Sequence, residues 1–426
     1  MHFARSTLWL IFDKFFLGIV SFVVIVKVAN TYGSEAFGLY QYAFSIFVIL
    51  NILTLFVDDK VVKGLFHLHE PLHVLLASVF GKIILYIPII IIFYFITTLH
   101  LDYLVSSKLL FSFIIAGLLN SIALPGALYF DYSLVSRYTV FASLAANSIV
   151  ATLQYTLASL YFPIEFLGYV IVLGAIVKTL IIWLILFRHG IKAKPNLNFK
   201  MLQVILKKSS TFALAAGAAL IYTKTDLIMI ANILNAKEAG VYAVSLQFFA
   251  AFTIIVGPFQ STIYRLMSDW FNSDRDIYEQ KYKMITTLIS WSYIIFITFL
   301  IFFVGEIIDM LFDQEYQKAK NLIYIHMLSI FLVYNAILRS VHFALVESGS
   351  VLLIIQLFSI PINIGLNYIL ISKIGLEGAA IATFITLFIS LFLSNRFFEK
   401  SSFVFRMQIS SIDPRSILLA IKSLRR

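Results

Sequence analysis

The sequence contains no cysteine, and it contains few charged residues for its length. None of its 426 residues is Cys, and only 13% are Asp, Glu, Lys or Arg, about half the share of an ordinary soluble domain. The missing cysteine excludes disulfide bonds and thiolate metal sites, but it says little about the compartment. The scarcity of charge argues against a soluble protein.

The sequence also lacks the short motifs that accompany several enzyme classes. It has no Walker A motif, no Gly-x-Ser-x-Gly and no pair of carboxylates at catalytic spacing. Nothing therefore indicates ATP hydrolysis or covalent catalysis. We predict a protein that is not an enzyme, with no catalytic residue, no cofactor and no bound metal.

Long apolar runs make up most of what is present. Hydrophobic residues account for 61% of the chain, 42 residues are Phe, and the mean hydropathy is +0.95. A helix needs about 20 apolar residues to cross the hydrocarbon core of a bilayer. The runs are continuous rather than alternating, which favours helices. They predict twelve membrane spans, near residues 8–30, 38–57, 75–97, 108–130, 138–160, 165–187, 209–233, 240–262, 284–304, 320–345, 351–371 and 376–397.

A short turn that follows the first span occurs again after about half the chain. Residues 29–40 and 231–242 match at four positions in register, with an offset of 202 residues. The matching pairs are Ala29 and Ala231, Asn30 and Asn232, Gly38 and Gly240, and Tyr40 and Tyr242. A pattern that returns in the same context suggests a duplicated helical bundle.

The predicted fold class is therefore an all-α integral membrane protein, with about twelve transmembrane helices in two pseudo-symmetric six-helix lobes around a central cavity. The predicted boundaries are 1–188 for the N-terminal lobe and 189–208 for a basic cytoplasmic linker. The C-terminal lobe is predicted at 209–400 and an amphipathic cytoplasmic tail at 401–426. The central cavity is the expected substrate site.

The net charge of +10 is explained by membrane orientation rather than by nucleic-acid binding. With twelve spans, 22 Lys and Arg residues fall on the side of the termini and the even-numbered loops, and six fall on the other. The positive-inside rule then places both termini in the cytoplasm. We expect membrane lipids as partners and no nucleic acid.

Ionisable residues inside the spans are the sharpest functional signal, because each costs about 2.5–3.5 kcal/mol at a helix centre. The predicted cavity cations are Lys14, Lys82, Lys178 and Lys224. The carboxylates Asp13 and Asp226 are candidates for ion coupling or for charge pairs between helices. Arg137, Arg265 and Arg339 lie at inner span ends, as gate residues or as headgroup anchors. Surplus lysines suit an anionic passenger such as a pyrophosphate.

Several segments resemble one family over nearly the whole chain. The resemblance rests on residues 33–45, 57–63 and 226–232, on Glu238-Ala-Gly-Val-Tyr242, and on residues 314–319, 363–367 and 375–383. In these segments the chain resembles the Wzx-type polysaccharide flippases, the O-antigen and capsule repeat-unit transporters of the multidrug/oligosaccharidyl-lipid/polysaccharide superfamily.

The resemblance implies two lobes that rock about a cationic cavity and export an undecaprenyl-pyrophosphate-linked oligosaccharide across the bacterial inner membrane. It also implies a lipid-linked oligosaccharide as substrate, and contact with a glycan polymerase and chain-length machinery. Two alternatives remain open from the residues. A multidrug or cation antiporter of the same superfamily should show surplus carboxylates, and a polytopic glycan polymerase should show a long extracytoplasmic loop.

Overall fold

The structure, a computed structural model, describes residues 2–99, 104, 106–188, 199–346 and 348–418, without the side chains of 2–11, 13 and 261. Half of the predicted linker (189–198) and the end of the predicted tail (419–426) lie outside the described residues. Within the described ranges the chain is helical and forms no β-strand.

In its described residues, the first half of the chain forms seven α-helices. They are α1 (His2–Leu50), α2 (Asp59–Phe66), α3 (Pro71–Thr98), α4 (Ser107–Tyr132), α5 (Arg137–Ser159), α6 (Glu165–Arg188) and α7 (Phe199–Ile233). A 3₁₀ segment, Asn51–Phe56, joins α1 to α2.

The part of the second half that the structure describes forms nine more. They are α8 (Ala236–Thr253), α9 (Val256–Ser273), α10 (Arg275–Leu300), α11 (Val304–Leu311), α12 (Ala319–Asn335), α13 (Ile337–Leu345), α14 (Gly349–Ile374), α15 (Leu376–Leu387) and α16 (Glu399–Ile412). A π-helical turn, Phe388–Phe392, and a 3₁₀ segment, Leu393–Arg396, extend α15.

Helix α1 contains two of the predicted spans, which are divided at Gly33. This residue has φ 75° and ψ 170°, a backbone conformation that interrupts the helical hydrogen bonds and that a residue with a Cβ rarely adopts. Eleven helical segments of the described chain are long and apolar enough to cross a membrane, and the first of them, Lys14–Phe66, contains this break. When the two parts of this first segment, before and after Gly33, are counted separately, the segments match the twelve predicted spans. The prediction of an all-helical, multi-pass membrane protein is confirmed.

The chain divides into two compact units. The first unit comprises Met1–Ala231 and Asn235–Gly240. One of its apolar clusters joins α2, α3, α4, α6 and α7 at one end of the helices, around Leu65, Leu75, Phe130, Ile182 and Ile205. At the other end, Ala43, Leu109 and Phe113 form a smaller cluster with aromatic neighbours from α1.

The second unit comprises Asn232–Leu234 and Val241–Arg426. One of its apolar clusters contains Tyr278, Tyr282 and Val341, and α16 contributes Phe403 and Val404 to it. The Trp291 Nε1–H donates to Ser411 O at 3.1 Å, which fastens the end of α16 to α10. Helix α16 is thus a packed part of this unit.

The two units do not divide at the predicted lobe boundary, since α7 belongs to the first unit. The predicted boundaries describe functional lobes, and they stay a prediction.

Large apolar side chains are exposed along the spanning helices. On α3, Ile87 is 52% exposed and Tyr94 61%, and on α6, Leu184 is 58% and Phe187 74% exposed. Contiguous apolar surface of this kind is costly in water, whereas lipid tails solvate it without cost. The exposed surface is consistent with helices that face a bilayer.

Candidate substrate-binding site

Helix α7 carries Lys224 and runs antiparallel to the second part of α1 and the segment after it. Near one end of this pair, the Asp58 N–H donates to Ser209 Oγ at 3.0 Å. Further along, a Cβ on Gly217 would lie 2.6 Å from the Ile52 side chain, so only glycine permits the observed approach. The two helices therefore hold Lys224 at a defined position against α1.

At that position the Lys224 ammonium lies over an aromatic ring. Its Nζ is 5.4 Å from the centroid of Phe44, within the range of a cation–π contact. The side chain is partly buried, and within the part of the chain that the structure describes no carboxylate forms an ion pair with it.

The ring below Lys224 belongs to a rigid aromatic group. Phe44 meets Phe113 edge-on at 5.4 Å, Tyr40 meets the same Phe113 edge-on at 5.4 Å, and Phe47 lies 6.2 Å from Phe44. Edge-to-face pairs of this kind fix the orientation of each ring. The arrangement presents an ammonium group on an apolar, aromatic base.

Lys82 has a different environment. It is only 4% exposed, its Nζ donates to Thr54 O at 3.5 Å, and Asp59 Oδ1 lies 4.0 Å from the same nitrogen. Asp59 is in the first turn of α2, outside the predicted spans, so nothing in the sequence pairs it with Lys82. The charge of Lys82 is partly neutralised within the protein.

The other predicted residues inside the spans are distributed over three helices. Lys14 is exposed on α1, and Lys178 is partly buried on α6 and has interactions with its surroundings. Asp226 is 2% exposed on α7 and also has an interaction partner. The side chain of Asp13 lies outside the described residues. None of the described contacts joins two of the four predicted lysines.

The three predicted arginines differ in burial. Arg137 is exposed and donates from Nη2 to Tyr138 Oη at 3.0 Å, and Arg265 is exposed on α9. Arg339 is 3% exposed, and its Nε donates to Asn395 Oδ1 at 2.8 Å. Arg339 is therefore held inside the second unit, whereas the two exposed arginines suit headgroup contacts.

Asp59 and Phe44 are not among the residues predicted from the sequence. Asp59 follows Asp58, whose Oδ1 accepts from the backbone N–H of Lys60 and Val61 and so caps α2. That capping pattern is visible in the sequence and predicts a helix here, which would place Asp59 in its first turn. Nothing in the sequence distinguishes Phe44 among 42 phenylalanines.

Comparison with known proteins identifies the family. The sequence profile of the family described as "Polysaccharide biosynthesis protein" matches residues 3–271. No curated protein sequence matches the chain.

Among solved structures, an inward-facing multidrug resistance MATE family transporter of the MOP superfamily is similar at TM-score 0.69 and 13% identity, over 96% of this chain and 95% of that chain. The lipid II flippase MurJ in an inward closed conformation is similar at TM-score 0.68 and 14% identity, over 96% and 91%. A MOP superfamily transporter from Pyrococcus furiosus is similar at TM-score 0.64 and 13% identity, over 99% and 96%.

Identities this low show the fold alone, so the chain has the fold of MOP superfamily transporters. The family profile covers more than half of the sequence, in agreement with the resemblance found in its motifs. On these grounds the chain belongs to the polysaccharide biosynthesis protein family.

Proposed function

We propose that the protein is a flippase that moves an undecaprenyl-pyrophosphate-linked oligosaccharide repeat unit from the cytoplasmic leaflet to the outer leaflet by alternating access. The observation that carries this proposal is the Lys224 ammonium, which lies on the Phe44 ring inside a spanning helix without an ion-paired carboxylate among the described residues. The family to which the chain belongs supports a glycan as cargo.

The energetics of Lys224 favour an anionic ligand. A lysine near the centre of a spanning helix costs about 2.5–3.5 kcal/mol. A cation–π contact returns about 0.5–2 kcal/mol of that cost. The remaining cost is offset when a pyrophosphate supplies the missing negative charge. In this proposal Lys224 binds the pyrophosphate, and the apolar rings beside it pack against the first isoprene units of the lipid.

The other cations take secondary roles in the proposal. Lys14 is exposed and attracts the headgroup, and Lys178 contributes positive charge from α6. Lys82 is held by Asp59 and Thr54, so we assign it a structural role. Asp13 and Asp226 are retained as charge-pair or coupling residues, and Arg137, Arg265 and Arg339 as inner-gate residues.

The direction of transport follows from the membrane potential. A dianion that moves outward gains about 4.6 kcal/mol per 100 mV of inside-negative potential, twice the value for a single charge. The proposal places both termini in the cytoplasm of a bacterial cell, in agreement with the positive-inside rule. Contact with a glycan polymerase and its chain-length machinery on the outer side is part of the same proposal.

The decisive experiment substitutes Lys224 in the native host. Cells that carry Lys224→Ala should lose surface polysaccharide roughly tenfold or more, because a charge-assisted contact to a buried ligand contributes about 1.5–3 kcal/mol. Lys224→Arg should retain part of the activity, since it keeps the charge. Lys208→Ala is the matched control, because Lys208 is an exposed lysine on the same helix. Surface polysaccharide, lipid-linked repeat unit and membrane abundance are measured together.

Normal surface polysaccharide in Lys224→Ala cells, at normal abundance of the protein, would contradict the proposal. The same cells also distinguish the flippase from the antiporter alternative. A loss of resistance to cationic drugs, with surface polysaccharide unchanged, would identify a multidrug exporter instead.

A further inference from the structure

A cleft of about 370 Å³ lies between α2 and the end of α4, within the first unit. Its volume is at the lower end of the range of small-molecule sites. All of its lining residues fall in the second and fourth loops of the predicted topology, so the charge distribution predicts that the cleft opens to the cytoplasm. The lining residues are Lys63, Gly64, His67, Asp131, Tyr132 and Leu134.

An ion pair forms the polar part of the cleft. Lys63 Nζ donates to Asp131 Oδ2 at 3.0 Å, and the Lys63 side chain is 40% exposed. The other carboxylate oxygen, Asp131 Oδ1, is buried and accepts no hydrogen bond from the described residues. A buried acceptor without a donor is unfavourable. The terminal torsion of an aspartate is soft, so a small rotation lets a hydroxyl group in the cleft supply the missing donor.

Two rings form an apolar wall beside this ion pair. His67 meets Tyr132 edge-on, with 4.6 Å between the ring centroids, and Phe66 lies 5.5 Å from the same Tyr132 ring. These contacts fix the orientation of Tyr132. Gly64 adds no bulk to the cleft, since nothing lies within 4 Å of a Cβ built there. The cleft thus offers a fixed aromatic surface next to a donor and an acceptor.

Leu134 lines the cleft from a backbone conformation that a residue with a Cβ disfavours. Its φ of 57° is in the left-handed region. The Leu134 N–H donates to Asp131 O at 3.2 Å, and the Val135 N–H donates to Phe130 O at 2.9 Å. These are the hydrogen bonds of a helix C-terminus that usually ends in glycine. Glycine would form the same turn without strain, but it would remove a side chain from the cleft. Strained residues of this kind concentrate at functional sites.

The composition of the cleft favours a neutral ligand that is rich in hydroxyl groups. A phosphate would meet the Asp131 carboxylate, and a simple cation would meet the Lys63 ammonium. An apolar ligand would cover the ion pair without replacing its contacts with water, which is costly. Hydroxyl groups can donate to the carboxylate and accept from the ammonium, while the C–H face of a sugar ring packs on an aromatic side chain. A pyranose ring satisfies all of these conditions.

We propose that this cleft binds one sugar ring of the repeat unit on the cytoplasmic side, before the pyrophosphate reaches Lys224. That the sugar belongs to the repeat unit rests on the proposed function, whereas the chemical class of the ligand rests on the cleft. Lys63 and Asp131 bind hydroxyl groups, and Tyr132 packs against the ring. A site of this kind retains the unit at the leaflet from which it is moved, and it adds selectivity for the glycan.

Binding of a soluble sugar to the full-length protein in detergent tests the site. The probe is the free oligosaccharide that mild acid releases from the lipid-linked repeat unit of the host, because it lacks the pyrophosphate and the lipid. We expect saturation-transfer NMR to detect binding, and Lys63→Met and His67→Ala to weaken it at least fivefold. Lys60→Met and His69→Ala are the matched controls, since both residues are exposed, lie on or next to α2 and do not line the cleft.

Leu134→Gly distinguishes a binding role from a folding role. It should weaken binding at least threefold without lowering the melting temperature, because glycine adopts the left-handed conformation freely. Tyr161→Gly is the matched control. Tyr161 has φ 56° and does not line the cleft, so its replacement should leave sugar binding unchanged. If binding were lost only in variants whose melting temperature falls, the cleft would serve folding and the proposal would be overturned.

Inorganic phosphate and phosphoethanolamine are the competing probes. Binding of either one in the cleft, without binding of the oligosaccharide, would overturn the sugar site in favour of an anion or headgroup site. Unchanged sugar binding in both His67→Ala and Leu134→Gly would overturn it as well. The proposed function fails separately, on surface polysaccharide in Lys224→Ala cells. Sugar binding as expected, with full polysaccharide in those cells, would leave the sugar site standing and remove the flippase.

Discussion

Two lysines inside apolar helices have opposite surroundings in this protein. Lys82 is buried and faces Asp59 and the Thr54 carbonyl, whereas Lys224 is partly buried and faces the ring of Phe44. Their sequence contexts are similar, since each sits in a long apolar run. The partner of each lysine comes from another part of the chain. The sequence alone therefore predicts the charge but not its role. In the proposed function, Lys82 has a structural role and Lys224 binds the ligand.

The pair of Lys82 and Asp59 makes a prediction about stability. Asp59→Asn should lower the free energy of unfolding by about 1–3 kcal/mol, because it leaves a buried ammonium with a single long hydrogen bond. The double variant Asp59→Asn with Lys82→Met should recover most of that loss, since it removes the buried charge. Thermal unfolding of the purified protein in detergent measures both.

Lys200→Met serves as the control for this pair, because Lys200 is exposed at the start of α7 and should be neutral. If the double variant were no more stable than Asp59→Asn alone, Lys82 would not depend on Asp59.

At the scale of elements, the sequence predicts the spanning helices well and the shorter helices poorly. Runs of about 20 apolar residues identify every span, because the bilayer demands that length. Helix α2 has 8 residues and α16 has 14, so neither produces such a run. The turn at Gly33 falls between two predicted spans, whereas the break between α12 and α13 falls inside one predicted span, 320–345. Composition therefore predicts where the chain crosses, but not where a helix bends.

Helix α16 is expected to be essential for the second unit. Phe403 is 6% exposed and packs among Tyr278, Tyr282 and His342, so Phe403→Ala should cost about 3–5 kcal/mol in the free energy of unfolding. Ile409, on the same helix, is 50% exposed, and Ile409→Ala should have little effect. Thermal unfolding of the two variants in detergent provides the comparison.

Equal melting temperatures for Phe403→Ala and Ile409→Ala would show that α16 is only attached to the surface.

A polar network within the same unit supports the packing of α16 into the unit. Gln408 accepts a hydrogen bond from Asn395 Nδ2 at 2.9 Å and donates from Nε2 to Leu391 O at 3.1 Å. Asn395 in turn accepts from Arg339, so the helix is joined to a buried arginine.

For the whole molecule, the prediction concerns orientation. The uneven distribution of Lys and Arg predicts that the Ser107 end of α4 lies outside and the Ser209 end of α7 inside. In intact cells, Ser107→Cys should react with a membrane-impermeant maleimide, whereas Lys208→Cys should react only after the membrane is made permeable. Both positions are exposed, so accessibility across the membrane decides the result. The reverse pattern would invert the orientation and, with it, the direction of proposed transport.

The composition of the two units has a consequence for how the protein is made on the ribosome. The first unit includes residues up to Gly240, so it cannot be completed when residue 188, the end of its sixth span, leaves the ribosome. The second unit includes α16, which follows the last span in the chain. Domains usually fold as they are synthesised. Here, each unit can complete its folding only after a segment that is made later than most of its helices. Until residue 412 has been translated, unfinished helices stay exposed to the quality-control proteases of the membrane, and a ribosome that stalls between residues 398 and 412 should yield a chain that is degraded rather than stored.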